Sequence, residues 1–149
     1  MMSEIEEPLT LQVDAIDFAA GHYLPGHEKG CGSPHGHNYI VENLTIDFEV
    51  ERMDDMGVVI DFGVVKGYFK REWNHRNVVP QEHLEAWQRL YEELGLEDNL
   101  KPVLLTSVEA FAVIIKRDLA KLAHVDPCDV HFTIYETGGP ELPGMGATV

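Results

Sequence analysis

Basic residues are scarce in this chain of 149 residues: 11 Lys and Arg stand against 26 Asp and Glu, a formal charge of −15. That scarcity excludes a general nucleic-acid surface, which needs clustered Lys and Arg to meet phosphates. Any highly anionic substrate would need basic residues gathered locally. So acidic a surface keeps a chain soluble, above all in a salty medium. Cysteine is also rare. Cys31 and Cys128 are too few for a disulfide scaffold, and in a reducing compartment both are expected as thiols. No apolar run approaches the length that crosses a membrane. The first residues, MMSEIEEPLT, are acidic and polar, unlike a secretory or transit peptide, so the cytoplasm is the expected compartment. There are no internal repeats and no low-complexity tract. The length fits one domain over residues 1–149 with a single core.

The apolar pattern predicts the elements. Leu11 and Val13 alternate with polar residues, then the phase changes to Ile16, Phe18 and Ala20, which predicts a strand with a bulge or bend. Residues 21–36 are rich in Gly, Pro and His and predict a long loop. A second strand follows, with Ile40, Leu44, Ile46, Phe48 and Val50 on one face. Asp61 can cap a helix in which Phe62, Val65, Phe69 and Trp73 recur at helical spacing. A second helix is expected over 80–97, started by Pro80, with Leu84, Trp87, Tyr91 and Leu94 as its stripe. A third carries Val108, Phe111, Ile115, Leu119 and Leu122, capped by Thr106 or Ser107. "DVHFTIYE" alternates as a last strand, and the tail from Thr137 holds too much Gly and Pro to be regular. A further strand is expected near Val125 or at Val58–Ile60, and Cys128 is expected to pack as a small hydrophobe. Strands, helices, then a strand predict an α+β fold, an antiparallel sheet covered by helices on one face.

The residues with chemistry gather around "GCGSPHGHNY", residues 30–39. On a strand, residues two apart share a face, so His35 and His37 can aim at one point. His22, at the end of the preceding strand, can join them if the two strands pair. Three imidazoles leave a tetrahedral zinc one open position, the arrangement of a catalytic site. Cys31 can close that site as a fourth ligand or stand beside it as a free thiol; the plainer alternative is a polar loop. Glu136 shares the inward face of the last strand, where a carboxylate needs a partner such as a ligand with adjacent N–H groups, unless the strand ends at Tyr135 and leaves it solvated. His75 follows the first helix and can cap it or, if near Cys31, relay the thiol's proton. His27, His83, His124 and His131 are expected on the surface.

These pieces, in order, resemble the 6-pyruvoyltetrahydropterin synthase / 6-carboxytetrahydropterin synthase family. "FAAGHYLPGHEKGCGSPHGHNY" resembles its F-x-A-x-H…C-x3-H-G-H-N-Y signature, "MGVVIDFGVVK" its G-M-V-x-D-F-x-x-L-K, and "NHRNV" its D-H-x-x-L-N. "SVEAFA" resembles T-x-E-N-L-A and "IYET" the final x-x-E-T. The resemblance implies the tunnelling fold: a four-stranded antiparallel sheet with helices on one face, and sheets from several subunits closing a β-barrel, expected as a homohexamer with sites at subunit interfaces. It implies a zinc-dependent lyase acting on 7,8-dihydroneopterin triphosphate. By position His22, His35 and His37 would be Zn2+ ligands, and Cys31 the catalytic thiol rather than a ligand. His75 would be its relay, Glu136 would hold the pterin's N–H edge, and Ser107 with Glu109 would line the pterin site from a neighbouring subunit.

The favoured reading within the family is the carboxy-forming enzyme of the 7-deazaguanine (queuosine) route. Pyruvoyl formation, and zinc and pterin binding without turnover, are the alternatives. A branch with Glu three residues before H-G-H is set aside, because this chain has Gly32 there. Three departures stand out. Asn74 replaces the family's Asp before the relay histidine. The helix predicted at 80–97 is an insertion that could cover the site or extend a subunit contact. The acidic charge suits a triphosphate poorly, leaving Lys29, Arg76 and Lys66 as candidates for local compensation.

Overall fold

A computed structural model describes residues 8–137 and 146–149. Its elements are β1 (Leu9–Val13), β2 (Ile16–His22), β3 (His35–Phe48), α1 (Phe62–Glu72), β4 (Arg76–Pro80), α2 (Leu84–Leu94), β5 (Leu100–Val103), α3 (Val108–Ala123), β6 (Val130–Thr137) and β7 (Gly146–Thr148). All seven strands join one sheet in the order β5-β4-β2-β3-β6-β7, with β1 also on β3. The fold is α+β as expected, but the sheet is larger than four strands and is open. It is also not wholly antiparallel, since β4 runs parallel to both β2 and β5.

β3 is the spine. β1 and β2 lie along it in one continuous register, Leu9 opposite Phe48 through Val13 opposite Leu44, then Ile16 opposite Val41 through His22 opposite His35. The expected bend falls in the gap between them. Across from it Asn43 takes φ 54, and the pairing of β3 with β6 slips between Glu42 and Thr45. An extra residue in one strand reverses the side on which later side chains emerge. The inward set of β3 is therefore Tyr39 and Val41 before the bulge, and Leu44, Ile46 and Phe48 after it. Ile40, expected inward, faces the other side.

α1 and α3 cover the inward face. Asp61 caps α1, its carboxylate accepting the Gly63 N–H at 2.6 Å, and Val65, Tyr68 and Phe69 are buried at helical spacing, followed by Trp73. Phe62, expected in that stripe, is exposed. Ser107 rather than Thr106 caps α3, accepting the Ala110 N–H at 3.2 Å. α3 buries Val108, Phe111, Ala112, Ile115, Leu119, Ala120 and Ala123. Phe18 stacks on Tyr39 at 5.1 Å and meets Trp73 at 5.8 Å, while Trp73 meets Phe111 at 5.0 Å. Each such side chain contributes about 1.5–3 kcal/mol by leaving water. Two of the polar groups within this core pair with each other: Trp73 Nε1 donates to the Tyr68 hydroxyl at 2.9 Å, which donates to Asp118 at 2.6 Å.

α2 is shorter than expected and buries none of its residues. Pro80 ends β4 instead of starting α2, beyond the residues of β4 that pair with β2, where a missing N–H breaks no bond to that strand. Neither Val125 nor Val58–Ile60 forms a strand; the added strands are β4, β5 and β7. The last of these pairs with β6, so the tail is regular at its end, and residues 138–145 lie outside the described residues. Cys128 is exposed in a short turn, not packed. His27, His83, His124 and His131 are exposed as expected. No described helix is long and apolar enough to cross a membrane.

Candidate metal centre

Where β2 ends and β3 begins, the apolar ladder of the core turns polar. Phe18 faces Tyr39, Ala20 faces His37, and His22 faces His35. The small Ala20 leaves room opposite His37, and the three rings converge. Their centroids are 4.6 Å (His22–His35), 5.1 Å (His22–His37) and 4.8 Å (His35–His37) apart. One ligand atom from each lies within 4.8 Å of the other two. The pairing of the strands, which the sequence could only suppose, produces the cluster.

Two of the rings have their proton placed by backbone carbonyls. His22 Nδ1 lies 2.7 Å from the Thr106 carbonyl oxygen and His35 Nδ1 lies 2.7 Å from that of Ser33. A carbonyl can only accept, so each Nδ1 carries the proton and each neutral ring keeps a lone pair on Nε2. His22 Nε2 is buried with no hydrogen-bond partner among the described residues. Burial pulls the His22 pKa below its ordinary value, against the Thr106 carbonyl and the Glu136 carboxylate, which favour the charged ring. The result is a buried, neutral nitrogen aimed at two others, a donor set suited to a borderline cation such as Zn2+.

Glu136, opposite Tyr39 on β6, brings its carboxylate 3.6 Å from His22 Nε2 and 4.0 Å from His37 Nε2. Alternation did carry it to the inward face, and its partners here are the histidines. The Tyr39 hydroxyl beneath is buried and makes no well-formed hydrogen bond among the described residues; burial first, then the charge and proximity of the Glu136 carboxylate, push its pKa up. Phe111 of α3 supports the back of the cluster, 5.7 Å from both His22 and Tyr39.

Cys31 lies in a short turn, Gly30–Gly32, exposed and outside the ligand group. Its carbonyl accepts the Leu24 N–H at 2.7 Å, which folds the loop back. Gly32 is required there, since a Cβ would stand 2.1 Å from the His27 carbonyl oxygen. A glutamate at this position cannot enter the loop as folded. His75 takes φ 61, held by its N–H to the Ala19 carbonyl at 2.7 Å. It lines a cleft of about 1250 Å³ with Arg76, Asn77, Trp87 and Tyr91 that opens mainly over the sheet's other face, and Cys31 is not among the residues lining it. The Asn74 amide oxygen accepts the Ala19 N–H at 3.1 Å.

Ser107 caps α3 and Glu109 is exposed in its first turn. Of the candidate basic residues, Arg76 spends its guanidinium on the Arg71 carbonyl, and Lys29 and Lys66 are exposed on separate elements. Sequence reasoning missed the Thr106 carbonyl and the contact of Tyr23 with His83 and Trp87; a backbone acceptor leaves no mark in the sequence.

The 6-pyruvoyl tetrahydropterin synthase family matches residues 11–140. A probable 6-carboxy-5,6,7,8-tetrahydropterin synthase of Halobacterium salinarum is 39% identical over 126 residues, covering 82% of this chain and 77% of that protein. The 6-carboxy-5,6,7,8-tetrahydropterin synthase of Rickettsia bellii is 32% identical over 84 residues, 54% of this chain, so that the chain spans only 59% of that relative. Among solved structures, the uncharacterized protein WS1659 from Wolinella succinogenes superposes with a TM-score of 0.61 at 18% identity, over 95% of this chain and 98% of that one, a likeness of fold. With the sheet, the histidine trio and these matches together, the chain belongs to the 6-pyruvoyl tetrahydropterin synthase family.

Proposed function

We propose that this chain is a zinc-dependent 6-carboxy-5,6,7,8-tetrahydropterin synthase, converting 7,8-dihydroneopterin triphosphate to 6-carboxytetrahydropterin, acetaldehyde and triphosphate on the route to 7-deazaguanines. The observation that carries the reading is the convergence of His22, His35 and His37, with one buried Nε2 left without a hydrogen-bond partner among the described residues, in a chain whose relatives bear that enzyme's name. Bound there, Zn2+ would supply Lewis acidity toward the hydroxyls of the substrate's side chain. His22 and His35 keep their Nε2 lone pairs free because carbonyls hold their Nδ1 protons. Glu136 would accept from the pterin's N–H edge, and its carboxylate is already aimed into the site. Cys31, as thiolate, would take a proton from the side-chain carbon, and His75 would relay it. Both are exposed, and Cys31 does not line the cleft that His75 lines, which suits a site completed when subunits meet.

Ser107 and Glu109 would line the pterin site from the neighbouring subunit of a homohexamer whose sheets close a barrel. The open sheet, and the exposure of Leu104 (81%) and Leu105 (64%) just before Ser107, support that assembly. A second reading, zinc and pterin binding without turnover, draws on Asn74, whose amide oxygen serves Ala19 rather than His75.

The test is incubation of the zinc-loaded protein with 7,8-dihydroneopterin triphosphate and identification of the products by mass spectrometry. Carboxytetrahydropterin with acetaldehyde, lost in Cys31→Ala while zinc is retained, is the expected result. A pyruvoyl product without acetaldehyde would move the chain to the alternative activity. Bound pterin without conversion would establish the second reading.

A further inference from the structure

α2 adds nothing to the core, yet its first half makes a polar contact one residue from a proposed metal ligand. Trp87 Nε1 lies 2.9 Å from the Tyr23 hydroxyl. An indole N–H only donates, so the hydroxyl accepts there, and the same hydroxyl pairs with His83 Nδ1, 2.8 Å away. The His83 ring lies parallel to the Tyr23 ring, 7° between planes at 5.9 Å, and Trp87 closes the other side at 6.0 Å. The Tyr23 backbone carbonyl in turn accepts the Thr106 hydroxyl at 2.5 Å, and the Thr106 carbonyl accepts His22 Nδ1–H at 2.7 Å. A continuous run of hydrogen bonds therefore joins α2 to His22.

The run connects the two places where His22 is otherwise weakly held. The pairing of β2 with β3 ends at His22 opposite His35, so the chain beyond it has no strand partner. The Thr106 carbonyl that orients the ring belongs to the connection between β5 and α3, whose Leu104 and Leu105 stand in solvent. Its fixed point is Thr106, 3% exposed, whose hydroxyl ties the connection to Tyr23. Tyr23 is anchored by α2.

We propose that Tyr23, His83 and Trp87 are positioning residues for the metal ligand His22, acting through Thr106, and that α2 serves as the clamp of the metal centre. The proposal rests on the metal-binding reading of the trio. Groups that orient a ligating histidine through its second nitrogen set both its direction and its basicity. Tyr23→Phe keeps the ring and removes only the hydroxyl that joins His83 to Trp87.

The test measures Zn2+ affinity by competition with a chromophoric chelator, and the visible absorption of the Co2+-loaded protein, in wild type, Tyr23→Phe, Trp87→Phe and Tyr68→Phe. Tyr68→Phe removes a hydrogen-bonded hydroxyl from the core away from the histidines, so it reports the effect of lost stability alone. Tyr23→Phe is expected to weaken Zn2+ binding about tenfold, the low end for partners behind a ligand, and to shift the Co2+ bands. Trp87→Phe should move both in the same direction by less, and it keeps the test open if Tyr23→Phe does not fold. Tyr68→Phe should change neither while lowering the melting temperature. Wild-type affinity and spectrum in both clamp variants would overturn the clamp and leave the metal centre standing. An equal loss in Tyr68→Phe would also overturn it. A wild-type protein that binds neither Zn2+ nor Co2+ would overturn the metal reading, and the clamp with it.

Discussion

At the scale of single residues, the work of Asn74 is structural before it is anything else. β2 offers its Ala19 N–H toward the turn between α1 and β4, and the Asn74 side-chain oxygen accepts it at 3.1 Å. The next residue, His75, is bent into a left-handed conformation that side chains with a Cβ disfavour, and its own N–H goes to the Ala19 carbonyl. Two adjacent hydrogen bonds to one residue thus hold the turn against the strand. Asn74→Ala removes the acceptor and leaves the half-buried Ala19 N–H unpaired, at a cost of about 1–2 kcal/mol. Asn74→Asp retains an oxygen in the same place and should stay within about 0.5 kcal/mol of wild type. Urea denaturation midpoints of the three proteins decide the matter: equal stability of the Ala and Asp variants would show that the bond contributes nothing. If the order holds, the departure from the family's Asp is compatible with an intact turn, and any deficit in turnover belongs to charge and not to geometry.

At the scale of elements, α2 and α3 are both amphipathic in sequence and fare differently in the structure. α3 buries seven residues against the sheet, while α2 leaves Leu90 (46%) and Leu94 (59%) exposed. Phe111→Ala is expected to cost about 3–5 kcal/mol, because it empties the junction between Trp73, Tyr39 and His22. Leu90→Ala should fall within about 0.5 kcal/mol of wild type. Thermal unfolding of both would show otherwise if α2 were part of the core.

The contrast explains what the sequence made legible. α1 and α3 were readable because a period of 3.6 over several turns has few other causes. The inward set at the start of β3 was not, because Tyr39, Ile40 and Val41 are all apolar and the bulge that sets their phase lies beyond them, at Asn43. β4 and β5 are short, and β4 has Val78, Val79 and Pro80 buried in succession. Such a run lacks the alternation that marks a strand open to solvent on one face. His35 and His37 were legible through H-x-H spacing, and His22 through its place at the end of the strand before them. Its back wall, Phe111 and the Thr106 carbonyl, comes from a distant element and was not.

At the scale of the molecule, the charge of −15 and the open sheet pull against each other. A homohexamer of a 16.8 kDa chain has a mass of about 100 kDa (6 × 16.8) and would carry a formal charge of about −90 (6 × −15). Apolar contact at exposed side chains such as Leu104 and Leu105 favours association, and self-repulsion of the acidic surface opposes it. Salt changes the second effect far more than the first: the screening length falls from about 10 Å at 0.1 M to about 3 Å at 1 M. Assembly should therefore be complete in molar salt and give way to smaller species as ionic strength falls. Metal-ligand geometry within one chain should be kept, since His22, His35 and His37 all come from β2 and β3 of the same chain. Sedimentation velocity across a salt series, read beside bound zinc, checks both halves. A mass near 100 kDa only at high salt, with zinc retained throughout, is the expected result. A 16.8 kDa species at every salt concentration would sink the assembly. Zinc lost together with the hexamer would mean that the metal centre needs a neighbouring subunit that a single chain does not supply.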